Sequence, residues 1–411
     1  MREKFRSREA AMPFIMLAVL IDMAAIGVII PVLPMLVGSF STDPADQVYW
    51  YGVLAVAFGV ANFLAAPVLG ALSDRFGRRP VLLLGFMGLG LSFFGIAIST
   101  TLWGLIVVRT VGGAMQANAA IANAYVADIS APEQRAKRFG LLGAMMGLGF
   151  IVGPVLGGLL GAVNLHLPFY VAGGLTLLNG LYGYFVLPES LPESQRKPFS
   201  WRSANPASSL HKLAQLKGVG PLVGVVAFSG LSQFVLYTVW VLYNNFKFGW
   251  GPEENGWSLA VVGIVAVLVQ GVLMGRLLKI FPVQKLVIMG LVSSVLAYTL
   301  WGAATEGWMM YVVIAFNLLG GTVAASVQSL ISSAADSKSQ GQTMGAVSAL
   351  TSLTAVVAPM FGAPLLAVVS HLPQGDWRIG APFYFCALLQ LAALALAIWH
   401  LQRHKRRQLK G

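Results

Sequence analysis

The sequence predicts an all-α membrane protein of twelve transmembrane helices, arranged as two pseudo-symmetric six-helix bundles. Its composition, the placement of its basic residues and an internal repeat all point to this fold class. Of 411 residues, 57% are hydrophobic and only 10% are charged, whereas a soluble domain carries about 25% charged residues. This content of charged residues is too low for the surface of a water-soluble protein. A lipid bilayer is therefore the expected solvent.

Twelve apolar stretches are long enough to cross a bilayer, which takes about 20 residues. The first follows the basic residues 1–10 and is long, so we expect a retained helix and not a cleaved signal peptide. In chain order, the predicted helices 1 to 12 cover residues 12–37, 48–71, 80–98, 102–127, 138–162, 167–187, 218–246, 255–278, 283–304, 307–331, 342–369 and 380–401.

Basic residues alternate between the two sides of these helices. With the N-terminus inside, 24 of the 27 Lys and Arg residues fall in inner segments, the bias typical of cytoplasmic loops. This predicts a multi-pass protein of the cytoplasmic (inner) membrane with both termini in the cytoplasm. It also accounts for the net charge of +12, so nucleic acid is not expected as a partner. The predicted domains are residues 1–187, a cytoplasmic linker 188–217, residues 218–401 and a basic tail 402–411.

The two predicted bundles echo each other at an offset of 205 residues. Five identities occur at equivalent places in the two halves, which predicts a duplicated architecture around a central cavity that opens alternately to either side. The pairs are Gly70 and Gly275, Trp103 and Trp308, Gly140 and Gly345, Pro154 and Pro359, and Gly157 and Gly362.

The loop after helix 2 reads Gly70-Ala-Leu-Ser-Asp74-Arg75-Phe-Gly77-Arg78-Arg79. It resembles the signature loop of the major facilitator superfamily. The resemblance implies a conformational latch in which Asp74 caps helix 11 and the arginines reach Asp128 at the end of helix 4. The alternative is a loop that only anchors positive charge inside. The second-half copy is degenerate, with Lys279 in place of the Asp and Pro282 in place of the second Gly.

Helix 5 contains Gly149-Phe-Ile-Val-Gly153-Pro154-Val-Leu-Gly157-Gly158. Three of the glycines are four residues apart and share one face, where small residues let another helix approach closely. The motif resembles the signature of proton-coupled antiporters in the same superfamily; helix packing alone is the alternative. In helix 1, the spacing of Asp22, Gly27, Pro31 and Pro34 is similar to that in the tetracycline efflux proteins. The likeness covers most of the chain and implies a twelve-helix drug:proton antiporter.

Asp22 and Arg109 are the charged residues well inside predicted helices, and such residues are usually functional. At 1.5 Å per residue, both lie within about 5 Å of the same depth in a hydrocarbon core about 30 Å thick. We predict that Asp22 carries the proton and that Arg109 is its partner; a static pair that only fixes the helices is the alternative. Arg109 also fits the family pattern Arg-x-x-Gln-Gly, with Gly112 in place of the Gln.

Candidate substrate contacts are polar or aromatic residues in helices that the superfamily places around its cavity, a set that suits an amphipathic ligand. Tetracycline exporters also carry acids in helices 3 and 9, where this chain has Ser92 and Ser293 or Ser294, which puts recognition of a magnesium–tetracycline chelate in doubt. The candidates are Gln116, Asn118, Asn123, Gln233, Tyr237, Trp240, Gln270, Asn317 and Gln328.

These observations favour a secondary active transporter that exports small amphipathic drugs, tetracycline-like or multidrug, in exchange for protons. The alternative is a proton-coupled uptake symporter for a small metabolite; a membrane sensor has no attached soluble domain to signal through. No enzyme is expected, since no loop is long enough for a catalytic pocket. The sequence has no nucleotide-binding P-loop, its five histidines have no metal spacing, and its one cysteine, Cys386, is expected to be inert. We therefore expect a monomer without cofactor or metal.

Overall fold

The computed structural model describes residues 11–199, 220–334 and 340–408, and all regular secondary structure in these ranges is helical. The basic residues 1–10, most of the linker, Lys338 and the end of the tail lie outside the described residues. The unbroken helices are α2 (Pro44–Phe76), α3 (Arg78–Ile98), α5 (Pro132–Val163), α6 (Leu167–Val186), α7 (Gly220–Phe248), α9 (Val283–Ala303), α11 (Gln340–Val369) and α12 (Ala381–Gln408).

Four helices are interrupted, where the sequence predicts continuous ones. Two of these, α4 and α10, occupy the same place in each half. The segments are α1a (Met12–Ile29) and α1b (Leu33–Gly38), α4a (Leu102–Met115) and α4b (Asn118–Ile129), α8a (Pro252–Leu268) and α8b (Met274–Ile280) on either side of a π-helical turn, and α10a (Gly307–Phe316) and α10b (Val323–Ala334).

Ten helices of the described chain are long and apolar enough to cross a membrane, and the bent α10 makes eleven if it counts as one span. Helix α6, with 20 residues, is also long enough to cross. The described chain therefore has helices at all twelve predicted places, and the all-α fold with twelve helices is confirmed.

The first compact unit comprises Met1–Thr42, Val53–Asn205 and Gly251–Gly263. Within it, α1a packs on α5, α6 and α4b, and α3 packs on α6 and α4a. The core includes Ile15, Phe86 and Tyr125, all almost completely buried. This unit thus takes up the start of α8a along with most of the first six helices.

The second compact unit comprises Asp43–Gly52, Pro206–Trp250 and Ile264–Gly411. In this unit α7 packs on α11 and α12, and α9 packs on α12. Aromatic side chains fill one part of its core: the rings of Trp240 and Trp301 lie 5.4 Å apart, and those of Tyr243 and Phe383 lie 4.4 Å apart. The start of α2 belongs to this unit, so the compact units differ from the predicted domain boundaries.

Candidate functional site

Asp22 lies on α1a with only 2% of its surface exposed. Its Oδ1 accepts a hydrogen bond of 3.0 Å from Nδ2 of Asn118, the first residue of α4b and itself buried. Gly85 of α3 makes room for this amide, because a Cβ there would stand 2.1 Å from Asn118 Oδ1. The acid is therefore held inside the first unit by a side chain of helix 4, as a buried polar group requires.

A second buried amide lies one turn along α1a from Asp22. Asn179 of α6 donates from Nδ2 to the carbonyl oxygen of Ala18 at 2.8 Å. The Oδ1 atoms of Asn118 and Asn179 are both buried and have no hydrogen-bond partner in the structure. The interior around Asp22 thus contains two amide oxygens whose capacity to accept hydrogen bonds is unused.

Arg109 lies on α4a, above the break in helix 4. Its guanidinium carbon stands 4.0 Å from the ring centroid of Phe58 on α2, within the range of a cation–π contact. One turn further along α2, Asn62 donates to the carbonyl oxygens of Gly113 and Gln116, at 3.3 and 2.6 Å. Helix α2 therefore contacts the charged residue and also bonds to two backbone carbonyls at the end of α4a, where helix carbonyls lack intrahelical partners.

The structure gives Asp22 and Arg109 the partners just described, and a direct pairing between the two stays a prediction. The missing Gln of the Arg109 motif has a steric explanation. A Cβ at Gly112 would stand 2.4 Å from Oγ of Ser92, and that hydroxyl donates to the carbonyl oxygen of Val108 at 2.9 Å. Close contact between α3 and α4a thus leaves no space for a longer side chain at residue 112.

The glycine motif of α5 faces the helix that carries Asp22. A Cβ at Gly149, Gly153 or Gly157 would stand 2.7, 2.5 or 1.9 Å from a carbonyl oxygen of α1a. On another face of α5, a Cβ at Gly158 would stand 2.7 Å from the carbonyl oxygen of Pro252 at the start of α8a. Helix α5 is thereby packed backbone to backbone on two sides within the first unit.

The signature loop between α2 and α3 centres on Arg78. Its guanidinium lies 2.6 Å from Asp74 and 3.0 Å from Asp128, and it donates to Oγ of Ser73 at 2.7 Å. Gly77 has φ +106°, a conformation that glycine adopts without steric cost. The structure thus joins the loop to the end of α4b, while the contact of Asp74 with α11 stays a prediction.

Sequence reasoning missed two residues that bond to this loop and to Asp128. They are Glu189 and Ser190, at the start of the linker. The Glu189 carboxylate accepts from the backbone N–H groups of Arg78 and Arg79 at 2.9 and 3.2 Å. It therefore satisfies free donors at the start of α3, where a negative charge is favourable. Ser190 donates to Asp128 Oδ2 at 3.1 Å. A carboxylate 111 residues away from the turn it caps leaves no local sequence signal.

The predicted substrate contacts fall into three groups. Asn118 and Trp240 are buried: Asn118 bonds to Asp22, and Trp240 lies among aromatic rings. Gln116, Gln233 and Asn317 are partly buried. The exposed candidates are Asn123, Tyr237, Gln270 and Gln328.

The sequence matches known proteins along its whole length. The family matched is the Major Facilitator Superfamily, over residues 15–222 and 222–411. Tetracycline resistance protein, class C, from Escherichia coli is 38% identical over 93% of this chain and 95% of its own length. The class D protein from Salmonella ordonez is 34% identical over 89% and 92%. The solved structure of the nucleoside transporter NupG superimposes with a TM-score of 0.76 at 12% identity, covering 96% of this chain and 99% of that one.

The twelve-helix fold, the buried charges and these similarities define a multi-pass membrane transporter of small molecules, and not an enzyme. The chain belongs to the major facilitator superfamily, and its curated relatives include tetracycline resistance proteins.

Proposed function

We propose that this protein exports small amphipathic drugs from the cell in exchange for protons, as a monomer in the inner membrane with both termini in the cytoplasm. One observation carries the proposal: Asp22 is a carboxylate buried inside the first unit, hydrogen-bonded to an uncharged amide. An acid in such a place is costly to keep without a function. A single carboxylate is also enough to carry one proton.

The surrounding residues support a transport cycle. The α5 glycines bring the backbone of α1a into direct contact with α5, so a change in the charge of Asp22 acts on a tightly packed helix pair. Arg109, held by Phe58, supplies a positive charge in the adjoining helix. In the proposed cycle, Asp22 takes up a proton when the site is open to the outside and releases it to the inside when drug arrives.

The expected substrates are small amphipathic drugs, tetracycline-like or multidrug, and the curated relatives are named for tetracycline resistance. At the positions where tetracycline exporters carry acids in helices 3 and 9, the hydroxyl of Ser92 donates to a backbone carbonyl and that of Ser293 donates to Asn317. The exposed amides in the middle of helices are unfavourable in lipid, so we expect them to face water and drug. The proposed contacts are Gln116, Asn123, Gln233, Tyr237, Gln270, Asn317 and Gln328.

The direction of proton movement tests the proposal. Everted membrane vesicles with an acidified interior are given a panel of amphipathic drugs, and a dye reports the internal pH. For an exporter, a transported drug raises the internal pH as protons leave. A symporter for uptake gives the opposite coupling, in which protons and substrate move in the same direction.

Asp22→Asn is the decisive variant, and Asp46→Asn is its matched control because Asp46 is exposed in the first turn of α2. We expect Asp22→Asn to abolish drug-induced proton movement in folded protein while Asp46→Asn leaves it unchanged. Proton-driven transport at the full rate in the Asp22→Asn variant would remove Asp22 as the carrier.

A further inference from the structure

Segment α4b makes a polar contact with a functional candidate residue at each of its two ends. At its first residue, Asn118 donates to Asp22. Near its last residue, Asp128 pairs with Arg78 of the signature loop and accepts from Ser190. The two residues are ten apart, about 15 Å along a helix, so one short rigid element joins the buried acid to the cytoplasmic latch.

The break in helix 4 separates this element from the rest of the helix. Above the break, α4a is held by Asn62 and Phe58 of α2. Below it, α4b packs on α1a, α3 and α5, and Tyr125 donates to the carbonyl oxygen of Pro188 at 2.7 Å. The two segments share α3 as a neighbour, but α2 holds only the upper one and α1a and α5 pack on the lower one. The break therefore lets α4b shift without carrying α4a along.

Resting on the proton-carrier role of Asp22, we propose that α4b transmits the protonation of Asp22 to the Asp128–Arg78 latch, with Asn118 as the positioning residue. When Asp22 is ionised, Nδ2 of Asn118 donates to it, as in the structure. When Asp22 takes a proton from water, the neutral acid becomes a donor and requires an acceptor. The unpartnered Oδ1 of Asn118 is that acceptor once the amide turns over, and the turn moves the start of α4b.

The helices around α1a carry other titratable groups, and none of them replaces Asp22 in this scheme. At the level of Asp22, α5 presents Gly149 and α6 presents the Asn179 amide to α1a. The charged or titratable residues on the packed helices are Arg109, Tyr125 and Asp128 on helix 4, Glu133, Arg135, Lys137 and Arg138 at the cytoplasmic start of α5, and Tyr170, Tyr182 and Tyr184 on α6.

A thiol at the latch reports its state without any substrate. Cys386 is the one cysteine of the chain, so Cys386→Ser with Phe76→Cys places a single thiol at an exposed position within the signature loop. A membrane-impermeant maleimide labels it in everted vesicles at a series of pH values. The labelling rate of each variant is divided by the rate of the parent at the same pH. This ratio removes the pH dependence of the thiol's own reactivity.

We expect the labelling rate of the parent to change with pH and Asn118→Leu to lose this response. Asn179→Leu is the matched control: it removes a buried amide whose hydrogen bond goes to the Ala18 carbonyl of α1a and not to Asp22, and its response should stay. If Asn118→Leu does not fold, as judged by gel filtration, Asn118→Ala takes its place.

The outcomes separate this proposal from the proposed function. A normal pH response in the folded Asn118 variant overturns the transmission through α4b, whatever Asp22 does. A normal response in Asp22→Asn instead overturns the carrier role itself. Loss of the response in Asp22→Asn and in Asn118→Leu, with the response kept in Asn179→Leu, supports both.

Discussion

In the first half Gly85 of α3 makes room for the Asn118 amide, and 205 residues later Gly290 of α9 makes room for Val323. The same offset pairs the buried Asp22 with Ala227. Helix α12 follows at a larger offset, because the loop before it is longer, and there buried Asn179 corresponds to buried Ala393. The helix contacts are thus repeated, whereas Asp22, Asn118 and Asn179 have apolar counterparts in the second half.

The difference extends to the other charged positions. Arg109, Asp128 and Arg78 correspond to Ile314, Ser333 and Val283. Val323 and Ala393 instead belong to an apolar core cluster of the second unit. Small residues at helix crossings are required by geometry in both halves, whereas a buried charge is costly and is kept where it has a function. We infer that proton coupling belongs to the first half.

The largest expected effect comes from moving the acid to the other half. In Asp22→Asn combined with Ala227→Asp and Val323→Asn, the second half acquires the acid and its amide. We expect proton-driven transport to stay at least tenfold below the wild-type rate, which is about 1.4 kcal/mol in the barrier. The reason is that the second half has Val283 and Ser333 in place of the latch pair Arg78 and Asp128. Drug-driven proton movement in vesicles measures it; recovery above half the wild-type rate would contradict the asymmetry.

A glycine pair at the helix crossings gives the next largest effect. A Cβ at Gly157 would stand 1.9 Å from a backbone oxygen of Val28, whereas a Cβ at Gly362 would stand 3.1 Å from a side-chain carbon of Val239. Overpacking costs about 1–3 kcal/mol, so Gly157→Ala should destabilise the protein by about that much.

Gly362→Ala is the matched control for this crossing. Its valine neighbours can yield, and alanine is favoured over glycine in a helix by about 1 kcal/mol, so we expect stability close to wild type. Thermal unfolding in detergent compares the two variants. Equal losses at both positions would show that the two crossings are equally tight, against the distances in the structure.

These cases show which features the sequence could predict. Helix places and the glycine face of α5 follow from hydropathy and motif spacing, which act over short stretches. The Arg78–Asp128 contact spans 50 residues and is implied by the resemblance of the loop to the superfamily signature. The breaks in α4 and α10 and the amide beside Asp22 follow from neither. The polar contacts at these places join residues far apart in the chain: Asn62 bonds to Gly113 across 51 residues and Asn118 to Asp22 across 96. No local pattern marks which amide meets which carbonyl or acid.

A smaller effect is expected at the start of α3. Glu189 caps this helix, whereas α9, its counterpart, begins after Pro282 without a side-chain cap. Replacing a capping residue costs about 0.5–2 kcal/mol, so Glu189→Ala should lower the free energy of unfolding by about that amount and raise labelling of the thiol at residue 76. Glu193→Ala is the control, since that side chain is 89% exposed. Equal behaviour of the two variants would exclude the cap.

The smallest expected effect concerns the loop before α12. This loop is longer than its counterpart before α6 and contains an ion pair between Arg378 and Asp376. Side-chain and backbone hydrogen bonds from Arg378 lower the pKa of Asp376 from 3.8 to about 2. A lowered pKa contributes stability that is fully present above the unfolded value and is lost as pH falls from about 4 through about 2. Since Asp376 lies in an exposed loop, the contribution is small. Asp376→Asn keeps a residue that can cap the following turn, so we expect the variant to unfold at nearly the wild-type temperature at neutral pH and to lack this part of the acid-induced decline. If the unfolding temperature of the variant falls more steeply with pH than that of wild type, the ion pair is not the cause of the acid-induced decline.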